Sequence, residues 1–171
     1  LERAIMTCSA LRHVLSSSST AGTGPAGSAP RDNPELSALL RMLGSQDAYR
    51  RLYQTRSRPR QVADFFLRQP AAPRSLFHNL ARIEEALCAI DPAPDEAAPV
   101  EAAVAGLLHR LRELEPARDF SADPGAVKTL GEFLSTLLRD LGSLHPLLSD
   151  HYFSHQARVA GSTARSEPVP A

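Results

Sequence analysis

Nine arginines stand between positions 41 and 82: Arg41, Arg50, Arg51, Arg56, Arg58, Arg60, Arg68, Arg74 and Arg82. Only Asp47 and Asp64 oppose them in that window, which leaves a local excess of seven positive charges. Tyr49 and Tyr53 are interleaved with the arginines. A guanidinium is a planar fork that holds carboxylate or phosphate through two parallel hydrogen bonds. The chemistry on offer is therefore recognition of phosphate, a polyanion or an acidic peptide. Acids elsewhere in the chain (Asp91, Asp95, Glu96, Glu101, Glu113, Glu115, Asp119 and Asp123) balance the cluster. The basic and acidic faces can equally meet each other or be solvated separately.

Other candidate groups are weaker. Glu2 and Arg3 are adjacent, about a hundred degrees apart around a helix, so each must reach a different partner. In an enzymatic reading Glu2 is a general base, with Arg3 or Arg50 steadying an anion; in a structural one the pair orients helix packing. His151 and His155 are spaced to share a helix face, but two imidazoles do not make a metal site. Cys8 and Cys88 both fall on apolar helical faces and read as small buried thiols. Neither has a neighbouring histidine, and Cys8 and His13, five apart, do not stack on one helix face. Ala21-Gly22-Thr23-Gly24 lacks the preceding strand and the immediate helix of a phosphate loop. No cofactor and no metal is expected.

These groups need a scaffold, and hydrophobic spacing supplies one. Leu1, Ala4, Ile5, Cys8, Leu11 and Leu15 recur at steps of three and four, the stripe of an amphipathic helix. Residues 16–33 are dense in Ser, Thr, Gly, Ala and Pro and have nothing large to bury, so they read as a flexible connector. Asn33 before Pro34 is a helix start, with Leu36, Leu39, Leu40 and Leu43 as its face and Gly44 as its stop. Ser45 is expected to cap the next helix, with Ala48, Tyr49, Leu52 and Tyr53 turned inward. Another short helix spans Val62 to Leu67, and Pro70 and Pro73 bound a loop.

Longer seams follow. Leu76, Leu80, Ile83, Leu87 and Ile90 form one, which Asp91-Pro92-Ala93-Pro94 ends. Val100, Val104, Leu107, Leu111 and Leu114 form a second, behind Asp95 as cap. After a loop through residues 116–124, the longest helix runs from about Gly125 to His155. Its inner line is Val127, Leu130, Leu134, Leu137, Leu141, Leu144 and Leu148. Pro146 has no N–H for the carbonyl of Gly142, which predicts a kink between them. No alternating run long enough for a strand occurs. The expected fold is all-α, an antiparallel helical bundle with short proline-bounded helices and a long C-terminal helix. Residues 1–15 and 34–159 make one domain, and 160–171 form a disordered tail.

The global balance sets limits on function. Nineteen basic and nineteen acidic residues give a formal charge of zero, so no overall field draws nucleic acid or a membrane. The absence of a recognised nucleic-acid motif argues the same way. No apolar run approaches the roughly twenty residues of a membrane span, and the default location is cytoplasmic. The chain opens in mid-helix without Met, so it is expected to be a late portion of a longer protein.

Four stretches together carry a family resemblance. Leu1-Glu2-Arg3-Ala4 with Thr7 resembles the "ER" helix of the bacterial alpha-E domain family. Ala48-Tyr49-Arg50-Arg51-Leu52-Tyr53 is similar to that family's Tyr-Arg-Arg segment. Val62 to Leu67, then Pro70 and Pro73-Arg74-Ser75, resembles the segment that follows, and Tyr152-Phe153 its usual ending. Ile5 and Ser9 depart from the pattern, where the family usually has an acid and an arginine. The resemblance implies a helical domain whose relatives lie beside, or are fused to, circularly permuted ATP-grasp ligases and transglutaminase-like peptidases. It implies as partners the N-terminal half of the same domain and those two enzyme classes. The expected function is a non-catalytic accessory or interaction domain in peptide or amide-bond formation or modification. Its binding residues are expected to be Glu2, Arg3, Tyr49, Arg50, Arg51, Tyr53 and Arg74. The alternative is an enzyme half-site in which Glu2 and the arginines act on an anionic or peptide substrate.

Overall fold

A computed structural model of the chain describes residues 1–18, 33–54, 56–90, 99–115 and 124–153. The expected connector lies largely outside the described residues, as do the tail, His155, the Asp91–Pro94 stop and the Asp95 cap. Seven α-helices occur among the described residues: α1 (Glu2–Ser18), α2 (Pro34–Met42), α3 (Gln46–Tyr53), α4 (Pro59–Arg68), α5 (Leu76–Ile90), α6 (Pro99–Arg112) and α7 (Pro124–Leu148). A π-helical turn, Ser149–Phe153, follows α7. No strand is present among the described residues.

The four long helices each pack on two of the others: α1 on α7 and α5, and α6 on α5 and α7. Their seams meet in one apolar core. Ala4, Cys8 and Leu11 of α1, Leu76 and Leu80 of α5, Val100, Val104 and Leu111 of α6, and Leu134, Leu137, Leu141 and Leu144 of α7 are all fully buried. Each such leucine contributes on the order of 2 kcal/mol by leaving water. Between α6 and α7, Arg110 bridges to Asp140 at 2.5 Å. The Arg110 guanidinium also lies 5.8 Å from the centre of the Phe133 ring. Between α1 and α7, the Cys8 thiol donates to the carbonyl of Leu134 at 3.6 Å.

The short helices form an annex. α2 packs on α1; α4 reaches α1, α5 and α6; α3 packs on α2 and α4. Local sequence sets their ends. The Asn33 side chain accepts from the N–H groups of Glu35 and Leu36 and so caps α2. Gly44 closes the same helix at φ +61°, where a side chain would be strained. The N–H of Ser45 then reaches back to Leu40 O at 2.8 Å. Ser75 is fully buried ahead of α5, where its hydroxyl accepts from the N–H of His78 and donates to Gln69 O.

The structure corrects several residue-level expectations. Ser45 does not cap α3 with its side chain: it sits at φ −112°, ψ 1°, and its hydroxyl donates to Leu43 O instead. Leu52 is 49 % exposed, because Tyr49 and Tyr53 occupy the single inner line of an eight-residue helix. Ile90 is 65 % exposed in the last turn of α5. Cys88 is exposed rather than buried, since Leu87 takes the seam and the next residue is turned about a hundred degrees away. The helix α1 continues through Ser18, three residues beyond the expected boundary. The helix α7 runs through Gly142 with Pro146 inside it as far as Leu148, where the π-helical turn takes over, and buried Leu141 and Leu144 hold that stretch to the core.

Candidate functional site

The annex carries the arginines, and its aromatic centre fixes how they are presented. Tyr49 is 1 % exposed. Its ring stacks on that of Tyr53 at 4.9 Å and meets the Phe65 ring edge-on at 5.7 Å. The Tyr49 hydroxyl donates to the backbone carbonyl of Arg56 (3.2 Å) or to Oε1 of Gln61 (3.3 Å). Half-buried Tyr53 donates to Asp64 Oδ2 at 2.6 Å. Burial, then the hydrogen bond to Asp64 and the charge of that carboxylate, push the Tyr53 phenol well above its ordinary pKa. With both tyrosines turned inward, helical geometry leaves Arg50 and Arg51 on the exposed side.

Two of the nine arginines have acidic partners on their own helices. Arg68 lies 3.8 Å from Asp64 and donates to Leu114 O at 2.7 Å, which ties α4 to the end of α6. Arg82 pairs with Glu85 in solvent. Arg41, Arg50, Arg51, Arg58 and Arg60 are exposed on α2, α3 and the start of α4. The cluster is thus a solvated basic face over an aromatic floor.

Within that face is a concave site of about 350 Å³ between α2, α3 and the segment after α3. Arg50, Arg56, Gln46, Gln54, Ser37 and Ser57 line it, with Tyr49 and Leu40 behind them. Gln54 terminates α3 in the left-handed region, at φ +48°, and so turns the chain back toward the groove. The hydroxyls of Ser37 and Ser57 are 3.3 Å apart across it. Two guanidiniums, two amides and two hydroxyls, with no carboxylate among the lining residues, make a donor-rich pocket suited to a carboxylate or phosphate group.

The expected binding residues do not all meet here. Tyr49 and Arg50 line the groove, Tyr53 supports it from behind, and Arg51 lies on the same exposed helix outside it. Arg74 is half-buried just ahead of α5 and does not line the groove. Glu2 and Arg3 are exposed on the first turn of α1 and do not line it either. Sequence reasoning missed Gln46, Gln54, Ser37 and Ser57, because uncharged polar residues in short helices and the segments between them carry no periodic signal. The positive φ at Gln54 could have been suspected only from the abrupt end of the pattern after Tyr53.

Among the described residues no group of three or more His, Cys, Asp or Glu side chains is placed to hold a metal ion. No helix among them is long and apolar enough to cross a membrane. The profile of one domain family, described as a predicted alpha-helical domain with a conserved ER motif, matches residues 1–153. No curated protein and no solved structure matches the chain.

Proposed function

The chain belongs to the Alpha-E family, and from that membership we propose that it is a non-catalytic accessory domain that docks an acidic partner on its arginine face. The observation that carries the reading is the donor-rich groove at Tyr49 and Arg50, which has no carboxylate in its lining. A docking surface needs charge presented on a rigid base. The stacked tyrosines and Phe65 supply that base, while the arginines around them stay in solvent. Such rim charges steer association and set partner choice more than they add affinity.

The partner class is a circularly permuted ATP-grasp ligase, with a transglutaminase-like protein as a second member and the N-terminal half of the domain completing the helical body. In this role the chain brings the ligase to a peptide or amide substrate and performs no bond chemistry itself. Glu2, exposed on the first turn of α1 and away from the groove, then serves helix or partner packing rather than proton transfer. The test is a titration of the chain with a purified ligase of that class at low and high salt, comparing the parent with an Arg50→Ala, Arg51→Ala double variant. Two exposed charges at up to about 1 kcal/mol each predict affinity weakened about tenfold and a shallower salt dependence. Equal affinity of both proteins at low salt would remove the arginine face from the interface.

A further inference from the structure

The polar groups of the annex groove stand in a row, and their order indicates what enters it. Gln46, Arg50 and Gln54 follow one another at steps of four along α3 and its C-cap, and all three line the groove. Each such step advances about 6 Å along a helix. Gln54 keeps that spacing although its φ is +48°, because its N–H still donates to Arg50 O at 3.0 Å. Among the described residues, none of the three side chains takes part in a hydrogen bond or an ion pair. The hydroxyls of Ser37 and Ser57 already meet each other at 3.3 Å, so the α3 row carries the recognition. A larger groove of about 750 Å³ runs between α1 and α7, with Arg12, Arg139 and the carboxylate Glu132 in its lining. The annex groove has no acid in its lining.

The order is amide, guanidinium, amide. A side-chain amide offers both a donor and an acceptor, the same pair that a residue of peptide main chain presents. A phosphodiester backbone offers acceptors alone and would leave both amide oxygens without a donor. The guanidinium between the amides is matched by a carboxylate. An extended peptide rises about 3.3 Å per residue, and every second residue faces the same way. Two of its residues span about 6.6 Å, close to one step of the row. With an acidic side chain opposite Arg50, the main chain two residues before it and two residues after it comes level with Gln46 and Gln54. Over the whole row the two spacings differ by about 1 Å, which long glutamine side chains absorb. We propose that the annex groove binds an extended peptide segment with an acidic residue at its centre, an assignment that rests on the docking of an acidic partner and specifies what enters the groove.

The test is calorimetric titration of the full 171-residue chain with the blocked peptide acetyl-Ser-Thr-Val-Glu-Val-Thr-Ser-amide. Its controls are the analogue with glutamine at the centre, a version N-methylated at both threonines, acetate and inorganic phosphate. The acidic peptide is expected to bind saturably at one site, about tenfold or more tighter than the glutamine analogue, which lacks the charge-assisted bond. N-methylation keeps the charge but removes two main-chain donors, and should also cost about tenfold. Gln46→Met and Gln54→Gly should each weaken the acidic peptide about fivefold, and each should weaken the N-methylated version less, because its partner group is already gone. Arg139→Gln removes a positive charge from α7, outside the annex groove, and should leave the affinity unchanged. Absence of saturable binding at millimolar concentration would overturn the proposal. Acetate or phosphate binding as tightly as the peptide would do the same, as would full affinity in both glutamine variants. The ligase titration reads the docking face separately: arginine dependence there without peptide binding here would leave docking in place through a folded acidic surface and remove the extended segment.

Discussion

Cys8 reports whether α1 is seated on α7, and its chemistry can be worked through quantitatively. The side chain is fully buried, and its thiol contacts the Leu134 carbonyl. Burial pushes the thiol up from the ordinary 9.0 to about 12, against a smaller opposing pull from the Arg12 guanidinium. The thiolate is the nucleophile in alkylation. At pH 8 an ordinary thiol is about one-tenth ionised, whereas one with a pKa near 12 is ionised to about one part in ten thousand. Iodoacetamide should therefore modify Cys8 about a thousandfold more slowly than an ordinary thiol, before any loss of access is counted. Exposed Cys88 serves as the internal control in the same sample. Peptide mass spectrometry against time reads both sites at once. Cys8 labelled within tenfold of Cys88 in the folded chain would refute the packing of α1, and with it the groove that α1 and α7 share.

The same shift links to stability. The folded-state pKa of Cys8 lies above the unfolded value, so the folded chain keeps a proton that the unfolded chain loses. The contribution is complete below pH 9 and falls by about 1.4 kcal/mol per pH unit toward pH 12. A Cys8→Ala chain should lose less stability over that window than the parent. The difference between the two isolates the Cys8 part, because the raised Tyr53 phenol weakens both proteins as pH rises past its ordinary range.

Leu134→Asp should unfold the chain, because it puts a carboxylate at a fully buried position beside Cys8; the penalty is several kcal/mol, and a cooperative melt near the parent's in circular dichroism would contradict the core assignment. Gln54→Gly should raise stability by about 1 kcal/mol by relieving a side chain held at φ +48°. Thermal melts that show Gln54→Gly destabilised would contradict strain at this position.

The apolar seams of the long helices were legible because burial imposes a period: Leu76, Leu80 and Leu87, or Leu134, Leu137, Leu141 and Leu144, can share a face only in a helix. Asn33-Pro34 and Gly44 were legible because caps and left-handed turns depend on backbone atoms a few residues away. The inward turn of Tyr49 and Tyr53, with Arg50 and Arg51 outside, followed from the same geometry. Cys88, Leu52 and Ile90 were misjudged because periodicity says which residues share a face but not how wide that face is, nor how far a neighbour extends along it. Ser45 was misjudged because its backbone, at φ −112° and ψ 1°, lacks the extended conformation that aims a capping oxygen at the helix N–H groups, and its hydroxyl donates to Leu43 O.

The sequence by itself determined that this chain is helical, where most of its helices begin, and that its guanidiniums gather in the segment of short helices. Only the tertiary structure decided which polar residues share a cavity. Arg12 and Arg139 are 127 positions apart, the same distance in sequence as many residues that never meet. They line one groove because the apolar faces of α1 and α7 bury each other, and whatever lies beside those faces is brought together with them.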